Sequence, residues 1–232
     1  ARVDHQFGLV MDALRKKDMY DDSAVFFFPD HGDFTGDYGL VEKHEVGYED
    51  CLTRVPFLVK PPAGTPVKPR ISEAMIELID FPATVEELAG VSMPQPHFGT
   101  SLLPVLSGET DDHRDAVCSE GGRLESEPHV VNAASRGRTG SEEGMYWPKQ
   151  ACHAESLENC GKSVMLRTKT HKLVKRLYES DELYDLVDDP GELDNRIENP
   201  AYADVKDQLE RRLLQLYLET SDIVPVGLDK RE

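Results

Sequence analysis

At "FFFPDHGDFTGDYGLVEK", residues 26–43, three phenylalanines run straight into aspartates, a histidine and glycines. Asp30 offers hard oxygen to a divalent cation, and the neighbouring His31 can complete such a site or hydrogen-bond an anion. Gly32 and Gly36 let the backbone turn sharply enough for side chains to converge. A plain polar turn capping a strand uses the same residue types, so these four positions alone leave both readings open. A freestanding EF-hand loop is excluded. Counted from Asp30, its sixth position is Thr35 instead of Gly and its twelfth is Val41 instead of Glu.

The elements that must hold this cluster follow from periodicity. Val3, Phe7, Val10 and Leu14 form one apolar stripe, which predicts an amphipathic helix over residues 2–17. "AVFFF" then runs without polar alternation, as a strand covered on both faces in a parallel sheet would. Asp30 and His31 fall at its carboxyl end, where open α/β sheets bind ligands. "RVPFLVKPP" (54–62) repeats the strand theme between prolines. Residues 73–89 read as helical, with Pro82 forcing a break or restart and Gly90 a stop. Residues 90–115 are rich in turn formers and read as a surface loop, and "DAVCSEGG" as a strand ending in glycines.

Residues 121–162 are polar, contain Trp147 and read as a long insertion of the kind that often carries function. Beyond them the pattern changes. "SVMLRT", "HKLVKRLY" and "DELYDL" predict an antiparallel meander. Asn199 and Pro200 provide a cap and first residue for a helix whose stripe is Val205, Leu209, Leu213 and Leu216. The expected fold class is therefore α/β. Residues 1–120 form part of a mixed or parallel sheet domain carrying the ligand cluster, and 121–232 a smaller antiparallel sheet with a C-terminal helix.

A net charge of −18 over 232 residues excludes nucleic-acid binding through a general basic surface. No apolar run is long enough for a membrane span. Four cysteines are too few for a disulfide scaffold. Cys152 and Cys160 are close enough to bridge a loop in an oxidising compartment, and "ACHAESLENC" lacks the paired spacing of a zinc site. The opening "ARVDHQFG" has neither an initiator Met nor an apolar leader, so it is expected to be a cut in a longer chain. One segment runs against the overall charge. "KSVMLRTKTHKLVKR" (162–176) holds six Lys or Arg and no acid. It reads either as a hairpin with a solvated outer face or, through Lys172 and Lys175, as a positive field that steers an anionic substrate.

The longer stretch "FPDHGDFTGDYGLVEKHEVGYEDCLTRVPFLVKPP" resembles the sulfatases of the alkaline-phosphatase-like superfamily. Their late core segment reads roughly D-H-G-D/E-x-x-G-x-H-G, then a Lys, a Tyr-Glu pair and R-V-P. "ELIDFPATVEELAGVSMPQPHFGTSLLPVLSG" and "ELYDLVDDPGELDN" extend the resemblance over nearly the whole chain outside 121–160. By that resemblance Asp30 and His31 are ligands of a Ca2+ site (Ca2+ in preference to Mg2+). Lys43 contacts the sulfate group, where an ammonium can neutralise charge building on a sulfate oxygen. His44 is a further substrate-binding candidate beside it. Tyr38 departs from a common histidine and is not expected to bind substrate. Pro29 replaces a common serine and spares the ligands.

The resemblance also implies what lies elsewhere. The family nucleophile is a formylglycine made from a C-x-P/A-x-R motif, and "CLTRV", "CSEGG", "CHAES" and "CGKSV" do not fit it. The chain is thus expected to be the C-terminal half of a sulfatase, inactive alone, with the N-terminal half of the same enzyme as partner. The implied substrate is a sulfate-ester small molecule or sulfated glycan. The implied compartment is periplasmic, secreted or lysosome-like. Within the superfamily a phosphodiesterase, phosphonate hydrolase or phosphoglycerol transferase is the alternative; outside it, a non-catalytic calcium-binding module.

Overall fold

The computed structural model describes residues 2–124, 126–127, 156–221 and 223. Most of the 121–162 insertion, with Trp147 and Cys152, lies outside them, and so does any Cys152–Cys160 bridge. Helix α1 (Arg2–Lys16) leads to strand β1 (Val25–Phe27), followed by the two-residue strands β2 (Phe34–Thr35) and β3 (Val41–Glu42). A short helix α2 (Asp50–Thr53), strand β4 (Leu58–Lys60) and helices α3 (Asp80–Ala89) and α4 (Leu103–Ser107) come next. Strands β5 (Val117–Gly121), β6 (Ser163–Arg167), β7 (His171–Arg176) and β8 (Glu182–Asp185) form the second sheet, and helix α5 (Ala203–Thr220) closes the described chain.

Strand β1 is sandwiched as its composition suggests. Phe27 packs on Phe7 of α1 with ring centroids 5.0 Å apart, while Phe26 and Phe28 meet Phe81 of α3 at 4.8 and 5.2 Å. The pairing differs from expectation: β1 and β4 run antiparallel, with Phe26 opposite Val59, and β1 is only half-buried. An unbroken apolar run reports cover on two faces; it carries no information on strand direction. The helix expected from residue 73 begins only at Asp80. Pro82 sits at its third position, where a missing amide hydrogen costs nothing, and Gly90 ends it with φ 63°. Within the expected surface loop, Leu103–Ser107 makes one helical turn stopped by Gly108.

The second sheet is the predicted meander, in the order β5-β6-β7-β8 and antiparallel throughout. Its first strand starts at Val117, ahead of the 120/121 division. Asn199 accepts a hydrogen bond from the Ala201 amide at 3.0 Å and starts a 3₁₀ turn that runs into α5. Val164, Leu166, Leu173 and Leu183 on one face of the sheet form a core with Leu209 and Leu213 of α5. Leu166, Leu173 and Leu183 are completely buried, each contributing about 1.5–3 kcal/mol of transfer free energy.

The opposite face of the same strands carries Met165, Val174, Arg167, Lys172 and Arg176. Met165 and Val174 enclose Tyr48, so this face docks on the segment that follows the candidate site. The alternation of a strand thus gives the sheet one side for its helix and one for the site loop.

Candidate functional site

The chain leaves β1 through Phe28 and Pro29 and turns at once, placing Asp30 and His31 at the strand's end. Gly32 makes the turn possible. Its amide donates to the Leu52 carbonyl at 2.8 Å, an approach so close that a Cβ would stand 1.9 Å from the Cys51 carbonyl oxygen. The loop 30–32 and the segment 51–52 are therefore in backbone contact.

His31 Nδ1 lies 2.7 Å from the Gly32 carbonyl oxygen. A carbonyl only accepts, so Nδ1 carries the proton and the Nε2 lone pair is exposed. Lys43 Nζ, 3.2 Å away, donates to that lone pair. Asp30 Oδ2 is 3.7 Å from the same nitrogen, and its side chain is 87% exposed. Its other oxygen accepts from the His31 amide at 3.1 Å. The structure thus brings Lys43 and Asp30 within 3.2 and 3.7 Å of the same His31 nitrogen. They line a cleft of about 1610 Å³, with His44 on its wall. His44 Nδ1 accepts from the Val46 amide at 3.4 Å, tying the ring to its own loop.

As a donor set, one carboxylate and one imidazole lone pair on a common side suit a hard or borderline cation. They fit as part of a coordination sphere. Among the described residues no group of three or more His, Cys, Asp or Glu is placed to hold a metal ion. A dication at Nε2 requires the Lys43 ammonium to swing aside, which its long exposed stem allows.

Tyr38 is directed elsewhere. Its hydroxyl donates to the Gly191 carbonyl at 3.0 Å, and its ring meets Phe34 edge-on. Burial, reinforced by the charge of Glu192, pushes its phenol up to about 12. The position ties the site loop to the turn after β8.

The basic run 162–176 forms the expected hairpin of β6 and β7, and the structure corrects the roles expected of Lys172 and Lys175 within it. Lys172 is fully buried, its Nζ bound to the Tyr48 carbonyl, Asp50 and Glu192. Lys175 pairs with Asp181 and with Glu210 of α5. Neither residue contributes an open positive field or a solvated face. Asp50 and Glu210 come from distant segments, which no count of local charge could reveal. Arg167 joins the same group through a two-pronged contact with Asp50 at 3.1 and 3.0 Å. Burial alone would raise the Asp50 carboxyl, but Lys172 and then Arg167 outweigh it and hold the group below the usual range. Glu192 moves the other way, pushed up by burial against the pull of Lys172, with the Asp50 charge adding to the rise. Sequence reasoning missed this cluster. Its local signal is Lys172 next to Leu173 in a strand of the basic run, which places the two on opposite faces.

Comparison with known proteins decides the family. A family model described as Sulfatase matches residues 1–91, and one described as N-sulphoglucosamine sulphohydrolase, C-terminal, matches residues 146–219. The chain belongs to the sulfatase family. It is 27% identical over 212 residues to an uncharacterized sulfatase of Escherichia coli, covering 91% of this chain and 35% of that protein. It is also 27% identical over 221 residues to a Δ4,5-hexuronate-2-O-sulfatase of Bacteroides thetaiotaomicron, covering 94% and 39%. The sulfatase chain thus spans well under half the length of these curated relatives. In three dimensions it is similar to the phosphonate monoester hydrolase of Agrobacterium radiobacter, with a TM-score of 0.74 and 26% identity over 94% of this chain and 39% of that one. The α/β architecture with its small antiparallel sheet and C-terminal helix is the alkaline-phosphatase-like fold. Among the described residues no helix is long and apolar enough to cross a membrane.

Proposed function

We propose that this chain is the C-terminal portion of an enzyme that hydrolyses sulfate esters, contributing Asp30 and His31 to a calcium site and Lys43 to the sulfate group. The observation that carries the reading is the convergence of Asp30, the His31 Nε2 lone pair and Lys43 Nζ in a chain of the sulfatase family. Asp30 presents a carboxylate oxygen to the cleft, and the Gly32 carbonyl holds His31 in the tautomer that leaves Nε2 open. Lys43, released from that nitrogen, carries a positive charge to a sulfate oxygen and stabilises charge that grows there as the ester bond breaks. His44 borders the same space as a second substrate contact. A calcium ion held by Asp30 and His31 would add Lewis-acid stabilisation of the same oxygens, with further ligands from the rest of the enzyme. The nucleophile, a formylglycine, belongs to that other portion, since none of the four cysteine contexts here fits C-x-P/A-x-R. The 2-O-sulfatase relative supports a sulfated sugar or other sulfate-ester small molecule as substrate.

The likeness to a phosphonate monoester hydrolase favours a second reading, in which the same residues face a phosphonate ester. The test uses the full-length enzyme, assayed on an aryl sulfate and an aryl phosphonate monoester, with Asp30→Ala beside the wild type. Turnover of the sulfate that disappears in Asp30→Ala, with the folded state retained by circular dichroism, is the expected result. Preference for the phosphonate would shift the reading to the second ester, and near-normal sulfate turnover by Asp30→Ala would remove the metal assignment.

A further inference from the structure

We propose that Lys172, deep in the second sheet, is a positioning residue for Lys43: it fixes the backbone of residues 46–52, the mount that carries the site. The proposal rests on the sulfatase reading above.

Lys172 reaches neither solvent nor the cleft. Its ammonium has three N–H donors and finds three partners: the Tyr48 carbonyl at 2.8 Å, Asp50 Oδ1 at 2.8 Å and the Glu192 carboxylate, both oxygens at 2.7 Å. Neighbouring side chains of the same sheet face take hold of the same segment. Arg176 donates to the Val46 carbonyl at 3.1 Å, and Arg167 grips Asp50. The Tyr48 hydroxyl donates back to the Ser163 carbonyl at 2.8 Å, and the Asp50 amide donates to Glu192 at 3.1 Å. The backbone is therefore tied to the sheet at residues 46 and 48, and at residue 50 to Glu192, which Lys172 holds. At residue 52 it is tied instead to the loop of Asp30 and His31, through the Gly32 amide. One segment thus sets the separation between Lys43, just ahead of it, and the two candidate ligands.

A buried cation between two carboxylates is a poor device for stability alone. Desolvation consumes most of the attraction, and apolar side chains of similar volume often serve as well. What the ions provide is direction. One N–H specifies where the Tyr48 carbonyl sits and the others aim the Asp50 and Glu192 carboxylates, and an error of about 1 Å at a reacting centre can slow catalysis about 100-fold.

The experiment is a double-mutant cycle in the full-length enzyme between Lys172→Met and Lys43→Ala, read as kcat and KM on an aryl sulfate and corrected for the folded fraction. Lys172→Met is expected to lower kcat about 10-fold or more with KM nearly unchanged. In the Lys43→Ala background the same change should have little further effect, because a misplaced group and an absent one fail alike. Losses that multiply across the cycle, or a Lys172→Met enzyme with normal kcat, would overturn the proposal. If Lys172→Met does not fold, Glu192→Gln takes its place in the same cycle, since it keeps the side-chain shape and one acceptor oxygen. Lys43→Ala with unchanged turnover would instead sink the sulfatase site itself, so the two failures are distinguishable.

Discussion

The Gly32 amide and the Leu52 carbonyl, 2.8 Å apart, join the loop of the candidate ligands to the segment that follows Lys43. Gly32→Ala would drive a methyl group into the Cys51 carbonyl, where the obstacle is backbone and cannot rotate away. Overpacking of this kind costs about 1–3 kcal/mol, and relief comes only by parting the loop from the segment. Thermal unfolding of the variant should show that loss, together with a drop in turnover larger than the folded fraction explains. A variant with normal melting and normal activity would show that the contact is slack.

Lys43→Ala should lower kcat by about 100-fold or more if its loss resembles that of an oxyanion-hole donor. It also removes the ammonium that donates to His31 Nε2. Cation affinity, measured by calorimetry with calcium, should therefore stay equal or rise while catalysis falls. A change confined to KM would make Lys43 a ground-state contact.

Asp80 contributes to the acid limb of stability. It is fully buried, with Arg114 on both its oxygens and the amides of Glu77 and Thr100 at 2.9 and 2.8 Å. Burial acts to raise its carboxyl, yet Arg114 and the two amides prevail and hold it below the usual value. Its folded pKa is thus below the unfolded value of about 3.9. The stabilisation is complete above that value and is lost as pH falls through the folded pKa. Denaturant midpoints followed from about pH 6 to about pH 2 should fall steeply in the wild type and less so in Asp80→Asn. That variant should also start lower, because Arg114 loses its buried carboxylate partner and keeps Glu77, at 3.5 Å, and the Phe98 carbonyl.

Leu173→Ala removes a completely buried side chain from between the second sheet and α5. A loss of about 2–5 kcal/mol is expected, read as a lower denaturant midpoint with an unchanged slope.

Much of this architecture could be read before any coordinates. The 3.6-residue stripes gave α1 and α5, the Asn199–Pro200 pair gave the start of the last helix, and short apolar runs between turns gave β6, β7 and β8. The pairing of β1 with β4 could not be read, because strand direction depends on connections that a local pattern does not record. The short α4 was hidden in a turn-rich stretch. Its apolar Leu102, Leu103 and Val105 ahead of Gly108 were the available signal. At the candidate site, residue chemistry pointed to Asp30 and His31 and a family resemblance added Lys43, whose proximity to His31 the structure shows. Lys172 was misread because its partners, Asp50 and Glu192, lie far away along the chain, and charge composition does not reveal which face of a strand a lysine occupies.

The two-sided character of β7 also divides the strand's evolutionary freedom. Leu173 answers to α5, so a lineage can exchange it for another aliphatic residue when the helix changes with it. Lys172, one position away, answers to Asp50, 122 residues upstream, and Arg167 to the same carboxylate from 117 residues. A change that removes the acid at position 50 leaves Lys172 to Glu192 alone and takes from Arg167 its carboxylate partner. Adjacent residues of β7 therefore answer to different constraints, one set by the neighbouring helix and one by a carboxylate far earlier in the chain.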